Sequence, residues 1–186
     1  MKTKAIRILV VSAVLTLLAA PGLTQDNTRH KKLPNFHKVN DKVYRGAQPK
    51  SGGLELLGQL GIKTVVNLRD DDDRAKQEEE AAHVVGLQYF NFPFDRWGRP
   101  QHKEMERVLS IINNPANQPV FVHCQHGADR TGVVIAVYRI THDRWTSEQA
   151  TDEAKRYGLK LWQLGMKDYI QDFYKHQTLP TSQRNQ

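Results

Sequence analysis

His123-Cys124-Gln125-His126-Gly127-Ala128-Asp129-Arg130-Thr131-Gly132 is the stretch from which the rest of this chain is read. An apolar run of strand length, residues 119–123, leads into it, and a helical pattern leaves it after Arg130. A loop that curls from a strand into a helix N-terminus points several backbone N–H groups at one place. Those donors and the helix dipole make an anion site, here offered by Gln125, His126, Gly127, Ala128, Asp129 and Arg130. The same field favours thiolate over thiol, which makes Cys124 a nucleophile at neutral pH. Arg130 can arch over the site, and its planar fork matches two oxygens of a phosphate better than a lysine would. Thr131 can donate a hydroxyl hydrogen bond to the sulfur and ease its departure after a covalent step.

Outward from the loop, the chain alternates strand-like and helix-like stretches. Val, Ile, Phe and Tyr enrichment near Gly or Pro predicts strands over 42–45, 63–69, 87–92 and 119–123. Helical patterns lie between them at 53–60, 74–85 and 101–113. They continue at 131–142, 147–157 and 162–176, where Thr146, Ser147 and Glu148 form a capped start. The expected fold class is α/β: a mostly parallel central sheet of four to five strands flanked by helices, with a helical carboxyl-terminal half. In such sheets ligands bind beyond the carboxyl ends of the strands, where the Cys124 loop falls. The stripe Trp162, Tyr169, Phe173 reads as core. The run Arg69 to Asp73 reads as a solvated face that caps the following helix.

At the amino terminus Lys2, Lys4 and Arg7 precede an apolar run over 8–20 and a small-residue exit. This reads as a secretory signal over 1–24, too short for a permanent membrane span. The cut falls at Ala20 or Thr24. Expected next are a flexible segment 25–35, a catalytic domain 36–177 and a polar tail 178–186. The chain has 186 residues, 39% hydrophobic and 25% charged, one domain's worth of ordinary globular composition. Its formal charge of +7 falls to +4 without the first 24 residues. No basic segment with interleaved aromatics argues for nucleic acid. One cysteine excludes a disulfide scaffold and a multi-thiolate zinc site, and suits an oxidising compartment.

The loop resembles the His-Cys-x5-Arg-Thr-Gly signature of the cysteine-based tyrosine and dual-specificity phosphatases. Five fixed positions match by chance with odds on the order of 10⁻⁷ per starting point. Val43-Tyr44-Arg45-Gly46-Ala47-Gln48-Pro49, the strand at 61–69 and Phe92-Pro93-Phe94-Asp95 resemble the bacterial and atypical dual-specificity subgroup, over roughly 36–176. The resemblance implies hydrolysis of a phosphomonoester through a phosphocysteine, with no metal and no organic cofactor. The implied partner is a phosphorylated substrate, either a phosphoprotein or an inositol phosphate or phosphoinositide.

A general acid must protonate the leaving oxygen, and a base must then activate water. The resemblance assigns both to one loop aspartate about 30 residues before the cysteine, a place held here by Asp95. Its alternative role is a turn residue or helix cap. Asp129 is a second candidate by likeness to the phosphoinositide-directed myotubularins, whose loop also carries an aspartate; its alternative role is a helix cap. By resemblance His123 hydrogen-bonds within the loop and tunes the thiolate. Arg45 and Gln48 frame the pocket on the same ground. His126 either meets substrate or is solvated, and Trp97 either stacks on a substrate ring or packs on the core. Two other functions fit a cysteine in an anion loop: a rhodanese-like sulfur- or arsenate-handling protein, and a catalytically silent phosphate-binding module.

Overall fold

A computed structural model describes residues 31–178, and five strands and six α-helices lie wholly among these described residues. The strands are β1 (His37–Lys38), β2 (Val43–Ala47), β3 (Thr64–Asn67), β4 (Gln88–Asn91) and β5 (Val120–Cys124). They form one sheet in the order β1-β2-β5-β3-β4, parallel except for the antiparallel edge pair β1 and β2. Four strands match the expected positions and β1 is the fifth. Residues of β5 are buried throughout, as the central strand of a parallel sheet covered on both faces requires.

The helices are α1 (Gly53–Gln59), α2 (Asp73–Val84), α3 (His102–Asn113), α4 (Asp129–His142), α5 (Ser147–Arg156) and α6 (Leu164–Thr178). Helix α4 is apolar nearly all round, Val133 to Tyr138 being buried without a break. It sits between the sheet and the α5 and α6 pair, which cover it from Arg130 to Tyr138. The larger core gathers Val66, Val122, Met105, Ile135 and Ile170 on this side of the sheet. A smaller core of Leu54, Leu57, Ile62, Val65 and Phe121 fills the other face.

Several elements start where side chains supply the missing acceptors. Asp72 caps α2 by accepting the Arg74 and Ala75 N–H groups at 3.1 Å each. Thr146 and Gln149 form a reciprocal capping box at α5.

Three expectations are corrected. Trp162 does not join Tyr169 and Phe173 in the core: it precedes α6 and is 66% exposed, while the other two are buried. Arg69 is not solvated. It is buried and donates to Gln48 Oε1, because β3 ends just before it and turns its side chain under the loop region. The segment expected to be loose up to residue 35 is seated from Lys31: Leu33 is fully buried, and Pro34 O accepts the Ala47 N–H at 2.8 Å. The signal segment 1–24 and the tail beyond Thr178 lie outside the described residues, among which no helix is long and apolar enough to cross a membrane.

Candidate active site

Parallel pairing sets the position of Cys124. Ala47 of β2 lies opposite Cys124, and Asn67 of β3 opposite His123, so the last residues of three strands meet where β5 gives way to the loop. Gly127 turns the loop with φ +67°, a conformation that a side chain disfavours. A Cβ there would stand 2.3 Å from the Gly46 carbonyl carbon, so β2 and the loop can touch only through glycine. Helix α4 then starts at Asp129 and turns its N-terminus to the loop.

Cys124 is buried. Burial pushes its thiol up, but this is outweighed by the Thr131 side chain and backbone, the Arg130 charge and a backbone bond from His126. The thiol is therefore held below its ordinary value. The Thr131 hydroxyl is itself buried and acts on Cys124 without a fully formed hydrogen bond to any described residue. Arg130 is buried and donates to Leu68 O at 3.1 Å and Phe94 O at 3.4 Å. Those two carbonyls, from the exits of β3 and β4, fix where the guanidinium stands relative to the loop.

His123 is fully buried, and burial holds its imidazole below the usual value, so it is neutral at physiological pH. Its Nε2 lies 3.3 Å from Glu78 Oε1. Glu78 is itself buried on α2 and accepts from Gln48 Nε2 at 2.6 Å and from the Tyr89 hydroxyl at 3.2 Å. Asn67 completes this polar cluster behind the loop by donating to Tyr89 Oη at 2.8 Å.

The two candidate acids occupy different settings. Asp95 is exposed and follows buried Phe94, whose carbonyl reaches Arg130. One of its oxygens accepts the Trp97 N–H at 2.9 Å, closing a turn. Asp129 Oδ1 accepts the Lys160 N–H at 3.0 Å, which engages this carboxylate with the α5–α6 connector. No helix-capping bond is made by Asp129. His126 is exposed, and Trp97 does not pack on the core, being 71% exposed.

Sequence reasoning missed three groups that reach the loop. Asp70 Oδ1 lies 3.6 Å from Arg130 Nη1, and its other oxygen accepts from Arg96 at 2.7 Å. That bond with Arg96 holds the Asp70 carboxyl below the usual carboxylate range. Glu78 was hidden in an acidic helix, although Ala75, Glu78 and Ala82 share one inward face by their three- and four-residue spacing. Asn35, in the left-handed region at φ 52°, donates to His126 O at 3.0 Å and Gly127 O at 3.2 Å. Among the described residues no cluster of three or more His, Cys, Asp or Glu side chains is placed to hold a metal ion.

Known proteins resemble this chain in sequence and fold. Residues 26–171 match the family described as PTP-NADK, a DSP-PTPase phosphatase fused to NAD+ kinase. The dual specificity protein phosphatase TpbA of Pseudomonas aeruginosa strain UCBPP-PA14 is 33% identical over 131 residues, 67% of this chain and 55% of that protein. The inositol diphosphatase DSP1 of Oryza sativa subsp. japonica is 30% identical over 128 residues, 66% of this chain and 56% of that protein. A crystal structure of P. aeruginosa TpbA superposes with a TM-score of 0.63 at 27% identity, covering 74% of this chain and 84% of that one. The chain spans about half the length of these curated relatives.

Proposed function

Since the chain belongs to the PTP-NADK family of dual-specificity-type phosphatases, we propose that it hydrolyses phosphomonoesters through a phosphocysteine formed on Cys124. The supporting observation is a buried thiol held below its ordinary value at the head of an anion-receiving loop, with Arg130 beside it. The Cys124 thiolate attacks phosphorus and the bond to the leaving oxygen breaks. Arg130 and the loop amides from Gln125 to Asp129 carry the equatorial oxygens. Asp95 gives its proton to the leaving oxygen, then takes one from the water that attacks the phosphocysteine and frees phosphate and thiolate.

Asp95 suits this cycle because it is exposed on a loop attached to Arg130 through Phe94. Asp70 is committed to Arg96 at 2.7 Å and faces Arg130 at 3.6 Å. Asp129 is committed to Lys160. Asp70 also bears on the substrate. A carboxylate 3.6 Å from Arg130 opposes a second phosphate group, which supports a monophosphate such as the phosphotyrosine of a phosphoprotein over an inositol diphosphate. The basic start and apolar run over 8–20 support export from the cytoplasm, which sequencing the amino terminus of the mature protein checks.

The test is a hydrolysis panel of aryl phosphate, phosphotyrosine peptide, inositol diphosphate and phosphoinositide. Cys124→Ser should abolish turnover and still bind phosphate. Asp95→Asn should cost about 10²-fold, most with poor leaving groups. Inositol diphosphate as the preferred substrate would overturn the substrate choice. Thiosulfate sulfurtransfer without phosphatase activity, or phosphate binding without turnover, would overturn the reaction.

A further inference from the structure

Two side chains from outside the loop grip consecutive loop carbonyls. Asn35 Nδ2 donates to His126 O at 3.0 Å and to Gly127 O at 3.2 Å, and also reaches Tyr157 O at 3.3 Å. The amide is oriented by His37, whose Nε2 lies 3.1 Å from Asn35 Oδ1, so the nitrogen is the atom facing the loop. Arg45 Nη2 donates to the same Gly127 O at 2.9 Å. Arg45 is 1% exposed and stands 4.5 Å over the Tyr157 ring.

Arg45 is an odd residue to bury for stability alone. Its Nε and Nη1 are buried with no hydrogen-bond partner, a cost that a Met or Leu at the same place would not carry. Among the described residues, the one hydrogen bond its side chain makes is to the loop. Asn35 likewise holds a left-handed backbone conformation in which its amide meets three carbonyls.

The peptide plane connects these contacts to chemistry. In a trans peptide the carbonyl of one residue and the N–H of the next point in opposite directions. Fixing His126 O therefore fixes the Gly127 N–H, and fixing Gly127 O fixes the Ala128 N–H. We propose that Asn35 and Arg45 are positioning residues: by drawing the His126 and Gly127 carbonyls outward, they turn the Gly127 and Ala128 amides into the bowl that receives phosphate. Neither side chain touches substrate. Without the brace, Gly127 is free to rotate its peptide and present an oxygen lone pair to an anion. The inference rests on the anion-receiving role given to the loop above.

The full mature chain is tested with Asn35→Gly, which keeps the left-handed backbone and removes the donor, and with Arg45→Lys, which keeps the charge and loses the fork. Three readouts are taken: kcat and KM on p-nitrophenyl phosphate, competitive inhibition by orthovanadate, and the pH profile of Cys124 alkylation by iodoacetamide. Asn35→Gly should lower kcat/KM and weaken vanadate inhibition by about tenfold or more each. Its alkylation midpoint should move to higher pH, because fewer amides face the thiolate, with circular dichroism and the thermal midpoint near wild type. Arg45→Lys should show the same three changes to a smaller extent. A folded Asn35→Gly variant within twofold of wild type in vanadate inhibition and alkylation midpoint would overturn the brace. If the wild type binds vanadate but turns nothing over, the phosphatase reading falls and the vanadate arm still decides the brace. If the wild type binds no vanadate, both fall.

Discussion

At Cys124 two opposing effects meet, and the outcome sets the pH range of the chemistry. Burial disfavours the thiolate, while Thr131, Arg130 and the loop backbone favour it more strongly. Thr131→Val keeps the shape and removes the hydroxyl. Its alkylation midpoint should move to higher pH and the acid limb of kcat/KM should move with it. Gly127 is the other decisive single residue. Gly127→Ala must carry a side chain at φ +67° into the Gly46 backbone, and should cost about 2 kcal/mol or more in denaturant unfolding together with most activity. That Cys124, Arg130 and Thr131 come together was legible because all three lie within one short loop. Asp70 and Asn35 were not, because they reach the loop from 54 and 89 residues away and nothing local marks them; Glu78 was marked only by its place on the inward face of α2. Arg69 was misread for a similar reason: a charged residue beside four aspartates looks solvated until β3 is seen to end just before it.

Among the elements, α4 does most to hold the site, since its N-terminus faces the loop and its body is the core. Its far end is tied to α5 by Arg139, which donates to Glu153 at 2.7 Å and to Asp143 at 2.7 Å. Glu153 is buried, so Arg139→Met would strand a carboxylate and should cost about 3 kcal/mol by urea unfolding. Burial pushes the Asp143 carboxyl up, but Arg139 and His142 outweigh it and hold it below the usual range. The native state therefore binds fewer protons here than the unfolded chain. The stability this supplies is complete above the ordinary carboxylate pKa and is lost as pH falls through the folded value. Asp143→Asn should be less stable than wild type at neutral pH, and the gap should close under acid. Strand and helix positions were legible because their periodicity is local. The start of α6 was not: Trp162 has helical spacing to Tyr169, but the chain enters the helix only at Leu164.

Over the whole molecule, the α5–α6 connector joins two parts of the site. Lys160 N–H is bonded to Asp129 in the loop, and Gln163, which is buried, donates to Arg96 O at 3.0 Å beside Asp95. Removing the second tie with Gln163→Ala should lower kcat about tenfold with little change in KM, and the loss should grow as the leaving group becomes poorer. An equal loss on good and poor leaving groups would show that the tie does not serve the proton donor. Such coupling between distant segments is a property of topology, which is why the sheet class could be read from the chain and these ties could not. The seating of residues 31–35 against β2 and the loop carries a practical warning as well. An expression fragment trimmed to begin at β1 would keep every strand and helix described above, and would still lack the small plug of chain that steadies the reactive end of the molecule. Poor turnover from such a fragment would then be mistaken for the wrong choice of substrate.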